Sequence, residues 1–169
     1  MEPLVNIPTE ETVFIDANIF VYHFCMTADS IDDRCTEFLQ KVESGVVQAF
    51  TSTSVVLETL HRAMIYEATE KAGLEPKGAM HKLQKNPEFI QNLTQYSTIP
   101  QRILDFGTQI FTISYQTILD SQTWRENYGL MVNDSITAAL MDRNGIKNLA
   151  TNDTDFDRIP VLHIWKPSI

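Results

Sequence analysis

Acidic side chains stand at three widely separated points where apolar runs stop or helical patterns start. Asp16 closes the run Val13-Phe14-Ile15. Asp134 lies at the head of the helical pattern Asn133-Asp134-Ser135-Ile136-Thr137-Ala138-Ala139-Leu140. Asp153 follows Leu149-Ala150-Thr151-Asn152. In an open α/β sheet the carboxyl ends of parallel strands share one edge, and ligands bind along it. Carboxylates gathered there repel one another, a cost that a cation removes. Such a set points to Mg²⁺ or Mn²⁺ and to chemistry on phosphate esters.

Each acid has an ordinary alternative. Asp16 suits the cap of the helix that follows it. Glu58 sits one turn into a helix, among Val55, Leu57 and Leu60, which are expected to face the core. A carboxylate in that position needs a partner, and Arg62 at i+4 could be a purely structural one. Asp134 favours the helix dipole in any protein. The segment Thr151-Asn152-Asp153-Thr154-Asp155-Phe156-Asp157 carries three acids in five positions, which turn chemistry alone could require. If that segment is extended, Asp153 and Asp155 point the same way and either could be the ligand.

The elements that must position these groups alternate between strand and helix. Val13–Ile15 has the continuous apolar character of a central parallel strand. Helical spacing follows from Asn18, and again from Asp29 or Ser30 through Ile31, Cys35, Phe38, Leu39 and Val42, with Gly45 as the stop. Val46–Phe50 is a second strand. Thr51–Ser54 caps a long helix that runs to Gly73. Strands are also expected at 110–113, 149–151 and 161–164, and helices at 118–128 and 133–143. Residues 1–11 are expected to be a loose lead-in, because Pro3 and Pro8 discourage regular structure. Pro76, Pro87 and Pro100 divide 74–109 into helical pieces. The implied fold class is α/β: a three-layer α/β/α sandwich with a central, mostly parallel sheet of about five strands. It is expected to form one domain over 1–169, with 74–109 as an extended helical insertion.

Composition narrows the function classes. The chain has 169 residues, 43% hydrophobic and 21% charged, enough for a sizeable core. No stretch approaches the roughly 18–20 apolar residues of a membrane span. The N-terminal residues lack a basic and then apolar leader, so a cytoplasmic location is expected. Cys25 and Cys35 have neither metal-site spacing nor a histidine cluster, and are expected to be reduced, buried thiols. The net charge of −9 argues against binding nucleic acid through the bulk surface. Between His61 and Lys85, however, five cations (Arg62, Lys71, Lys77, Lys82, Lys85) face three acids. That segment is either a seat for a polyanion or a solvated helix face.

The order of these features resembles the PIN domain, the fold of many prokaryotic toxin ribonucleases of the VapC type. The similarity spans about Thr12 to Trp165. It is carried most specifically by Phe14-Ile15-Asp16-Ala17-Asn18, by Asn133 to Leu140 and by Ala150-Thr151-Asn152-Asp153-Thr154-Asp155-Phe156. The resemblance implies that Asp16, Glu58, Asp134 and either Asp153 or Asp155 bind Mg²⁺ or Mn²⁺ and cut RNA. Asn18, Ser52 and Thr151 are implied as orienting or substrate-facing residues. It further implies an RNA substrate, a small antitoxin partner and a homodimer. Asp16 and Asp134 are expected as direct ligands, with Glu58 and Asp153 orienting water or holding a second cation. Segment 74–109 looks longer than its counterpart in compact members of the family.

Other readings fit less well. A phosphatase with an Asp nucleophile needs a second acid two residues on, where this chain has Asn18. A receiver domain wants adjacent acids before a different strand. A silent PIN-like binding module has no reason to keep a self-repelling acidic set. Phe20, Tyr22, Phe24, Trp124 and Tyr128 could form either a dimer face or core.

Overall fold

The computed structural model describes residues 1–25 and 30–168. Six strands form one sheet: β1 (Glu2–Pro3), β2 (Thr12–Ile15), β3 (Gln48–Ser52), β4 (Gln109–Phe111), β5 (Asn148–Ala150) and β6 (His163–Lys166). Their order across the sheet is β1-β6-β5-β2-β3-β4, and every described pairing is parallel. Eight helices accompany them among the described residues: α1 (Ala17–Cys25), α2 (Ser30–Glu43), α3 (Thr53–Ala72), α4 (Pro76–Lys85), α5 (Pro87–Gln91), α6 (Ile99–Asp105), α7 (Tyr115–Tyr128) and α8 (Val132–Arg143). The cap expected at Asp29 falls outside the described residues.

The chain leaves β2 for β3 and β4 on one side, then crosses back to β5 and β6 on the other. Right-handed crossovers in opposite directions put their helices on opposite faces. Helices α1, α2 and α3 pack together, and α7 pairs with α8, giving the expected three layers. Strand β2 lies at the centre. Val13, Phe14 and Ile15 are fully buried, as a strand covered on both faces requires. Helix α1 continues this core with Ala17, Ile19 and Phe20. Phe20 is therefore core, and Tyr22, Phe24, Trp124 and Tyr128 are partly buried against the core. Cys25 and Cys35 are buried free thiols. Burial pushes them up to about 11 and about 12, so they stay protonated at neutral pH.

Three expectations need correction. Residues 1–11 are not a loose lead-in: Glu2 and Pro3 pair with Trp165 and Lys166, and Leu4 in the 3-10 turn Leu4–Asn6 is fully buried. Pro3 is tolerated because this is an edge strand. The last strand is His163–Lys166 rather than 161–164, because β5 pairs Asn148 with His163 and Ala150 with Trp165. Leu57 does not face the core but is 67% exposed.

The prolines divide 74–109 into helical pieces as expected, each by opening one. Pro76, Pro87 and Pro100 each stand in the first turn of α4, α5 and α6, where a missing N–H costs nothing. Ala79, Leu83 and Leu93 bury against Ala68 of α3, forming a small second core. Buried Glu67 ties this segment down. Its carboxylate accepts the N–H groups of Thr94, Gln95 and Tyr96 at 2.9–3.0 Å and pairs with Lys71 at 2.9 Å.

Candidate active site

Asp16 lies one residue beyond central strand β2, at the point where the chain turns into α1. Its own N–H still bonds to Ala150 O of β5. That fixes the backbone at the sheet edge and turns the carboxylate into the crevice. Three groups hold the side chain. Oδ1 accepts the Ala17 N–H at 2.7 Å. Oδ2 accepts the Thr151 hydroxyl at 2.7 Å and the Asn18 amide at 2.6 Å.

Thr151 is fully buried at the end of β5. Its oxygen donates to Asp16 and accepts from the Asn18 amide at 2.9 Å and from the Asp153 N–H at 3.0 Å. That exhausts a hydroxyl's capacity of one donor and two acceptors. The Asn18 carbonyl accepts the Asn152 N–H at 3.1 Å, so neither end of the amide is free to turn. Asn152 in turn donates to the Tyr22 hydroxyl at 3.2 Å. Neither Asn152 nor Tyr22 was singled out as a site residue in the sequence. Their signals were present: Asn152 adjoins Thr151 in the same polar strand end, and Tyr22 lies four residues after Asn18 on one helix face.

Glu58 approaches from α3. Ser52 positions that helix: it is buried, accepts the Val55 N–H as N-cap and bonds to Ser54 Oγ at 2.8 Å. Glu58 also lies 3.7 Å from Arg62, the structural pair considered for it, with both side chains more than two-fifths exposed. Such a loose surface pair is worth little, so it does not account for an acid at this position.

Asp134 stands in the first turn of α8. Its carboxylate makes no hydrogen bond among the described residues. Burial pushes it up to about 6, helped by the charges of Asp153, Asp16, Asp155 and Glu58. The helix dipole, which favours the ionised form, is outweighed. Asp16 is also pushed up to about 6. Burial is the main cause, opposed by the bonds from Thr151 and Ala17 and reinforced by Glu58 and Asp153. Acids from four separate stretches of chain thus feel one another's charge.

Asp153 and Asp155 do not share a direction, because the segment is not extended. Asp153 Oδ1 accepts the Asp155 N–H at 2.8 Å and opens the 3-10 turn Asp155–Arg158. That turn swings Asp155 into an ion pair with Arg158. The other carboxylate oxygen of Asp153 makes no hydrogen bond among the described residues, and its charge acts on both Asp16 and Asp134.

The donors suit a hard, oxygen-seeking cation. Among the described residues no group of three or more acid, histidine or cysteine side chains is placed to hold a metal ion.

A PIN domain family model matches residues 13–162. The chain is 25% identical to Ribonuclease VapC6 of Methanocaldococcus jannaschii over 163 residues, covering 91% of this chain and 96% of that protein. Among solved structures it resembles VapC20 of Mycobacterium tuberculosis, a Sarcin-Ricin loop cleaving toxin, with a TM-score of 0.58 and 13% identity over 88% of this chain and 95% of that one. VapBC2 of Rickettsia felis, bound to a DNA fragment from its promoter, gives 0.55 and 19% over 92% and 98%. A toxin-antitoxin complex from Klebsiella pneumoniae gives 0.54 and 18% over 92% and 97%. No helix among the described residues is long and apolar enough to cross a membrane.

Proposed function

Since the chain belongs to the PIN domain family, we propose that it is a divalent-metal-dependent endoribonuclease and the toxin of a toxin-antitoxin pair. The observation that carries the reading is the meeting of Asp16, Glu58, Asp134 and Asp153 from four stretches of chain, where burial first and the neighbouring charges second push Asp16 and Asp134 up to about 6. A carboxylate cluster under that strain is made comfortable by a cation. Mg²⁺ or Mn²⁺, when bound, neutralises phosphodiester charge and lowers the pKa of water.

Asp16 and Asp134 are the direct ligands in this proposal. The first is aimed by Thr151, Asn18 and Ala17, and the second has both oxygens free of protein donors. Glu58 and Asp153 orient the attacking water. Asp153 is the fourth acid in preference to Asp155, because Arg158 already engages Asp155. Water attacks phosphorus in line, the bond to the 3′ oxygen breaks, and the products are a 5′-phosphate and a 3′-hydroxyl. A small antitoxin protein and a second copy of the chain are the proposed partners, the first supported by the toxin-antitoxin complex from Klebsiella pneumoniae that shares this fold.

Purified protein with Mg²⁺ or Mn²⁺ cuts RNA on this reading, and EDTA stops it. Asp16→Asn abolishes cutting while circular dichroism shows the native fold. Wild-type cutting by Asp16→Asn would overturn the assignment.

A further inference from the structure

A cavity of about 470 Å³ lies away from the carboxylates, between α1, α3 and the residues leading into α6. Ring surface from Phe24, Tyr66 and Tyr96 lines it together with Gln95 and Arg102. Glu67 also borders it, but its carboxylate is engaged by three backbone N–H groups and Lys71. Those bonds pin the backbone of 94–96 as a fixed wall. The Gln95 side-chain amide and the Tyr66 and Tyr96 hydroxyls have no hydrogen-bond partner among the described residues.

Arg102 borders this cavity and a second one of about 310 Å³ beside His23. Its guanidinium carbon lies over the Phe24 ring, 4.5 Å from the centroid. No carboxylate pairs with it among the described residues, although the protein carries nine more acids than bases. A guanidinium seated on a ring keeps its N–H fork for a bidentate phosphate contact. Aromatic faces and a free amide are what an unstacked base uses for stacking and edge recognition.

We propose that this cavity is a nucleotide subsite. It takes one unstacked base of single-stranded RNA beside Tyr66 and Tyr96, with Arg102, seated on Phe24, on that nucleotide's phosphate. The proposal rests on the ribonuclease reading and adds where a distal part of the substrate sits. Cys25 lies eight residues beyond Ala17 on α1, and Tyr66 eight beyond Glu58 on α3. The subsite is therefore roughly 12 Å from the carboxylates along either helix, a span of roughly two to four nucleotides.

The test is calorimetric titration of the full chain in EDTA with each of the four 5′-mononucleotides and with inorganic phosphate, for wild type, Arg102→Ala and Arg102→Lys. Melting temperatures verify the fold of each variant. The expected result is nucleotide binding tighter than phosphate binding, weakened about tenfold by Arg102→Ala and partly restored by Arg102→Lys. A single-stranded RNA oligomer displaces the nucleotide, and in cleavage assays Arg102→Ala raises KM more than it lowers kcat. Absence of nucleotide binding, equal binding of phosphate, or binding indifferent to Arg102 overturns the subsite. So does a nucleotide that RNA cannot displace, which would mark a site for free nucleotides. Binding of an amphipathic acidic peptide in place of nucleotides would make the cavity a protein-docking site and equally overturn it. The titration needs neither metal nor cleavage, so it separates failure of the subsite from failure of the nuclease reading.

Discussion

Replacing Asp134 by an asparagine stabilises the metal-free protein. The folded chain raises this carboxyl from 3.8 to about 6, and one unit corresponds to about 1.4 kcal/mol. The full shift corresponds to about 3 kcal/mol against the folded state at neutral pH, and solvent screening of this half-exposed group reduces it. Burial is the first cause of the shift, and a buried amide keeps part of that cost, so the net gain is about 1–2 kcal/mol. For a domain of this size that is about 3–6 °C in Tm. The direction with pH follows from proton counts. Between 3.8 and 6 the folded protein binds more protons than the unfolded chain, so the wild type loses stability as pH rises through that window. Differential scanning calorimetry in EDTA therefore shows a wide gap between the Asp134→Asn variant and wild type at neutral pH that largely closes by about pH 4. Mg²⁺ raises the wild-type Tm and moves the variant less. A variant no more stable than wild type in EDTA, or a gap that ignores pH, refutes the convergence of acids on Asp134.

Other expectations separate chemistry from support. Glu58→Gln and Arg62→Ala each change stability by less than about 0.5 kcal/mol in urea melts, because their pair is long and exposed; only Glu58→Gln removes RNA cutting. Glu67→Gln costs about 2–4 kcal/mol and about 6–12 °C in Tm. Burial alone would raise that carboxyl, but the N–H groups of Tyr96, Thr94 and Gln95 and the Lys71 ammonium hold it at about 2. Its contribution is full above about 4.5 and fades as pH falls toward 2, so the gap between Glu67→Gln and wild type narrows in acid. Asn18→Asp swaps an amide donor for a carboxylate beside Asp16, lowering metal-free Tm in the same calorimeter and abolishing cutting.

Legibility in the sequence followed how local each determinant was. Asp16 and Asp134 could be placed because a continuous apolar run and a helix start are neighbouring-residue signals. The edges of β3 and β6 shifted by about two residues, since pairing with Thr12–Phe14 and with Asn148–Ala150 sets the register and no local pattern encodes it. Strand β1 was hidden because two residues carry no periodicity. The separation of Asp153 from Asp155 depended on a tight turn closed by Arg158, whereas alternation assumes extended backbone. Leu57 was misplaced because α3 buries one face and shows the other to solvent, and a run of apolar letters does not say which face each residue takes.

The bonds that aim Asp16 reach across almost the whole chain: its partner Thr151 lies 135 residues away, and Asn152 meets Asn18 across 134. Loops of that length close late, after their entropy cost has been met by nearer contacts. A growing polypeptide that has not yet produced β5 carries its first aspartate on an unfinished sheet, without the Thr151 hydroxyl that completes its aim. The bench on which such a hydrolase would work is therefore assembled only after β5 has been made, and a fragment ending before residue 148 leaves the ribosome unarmed.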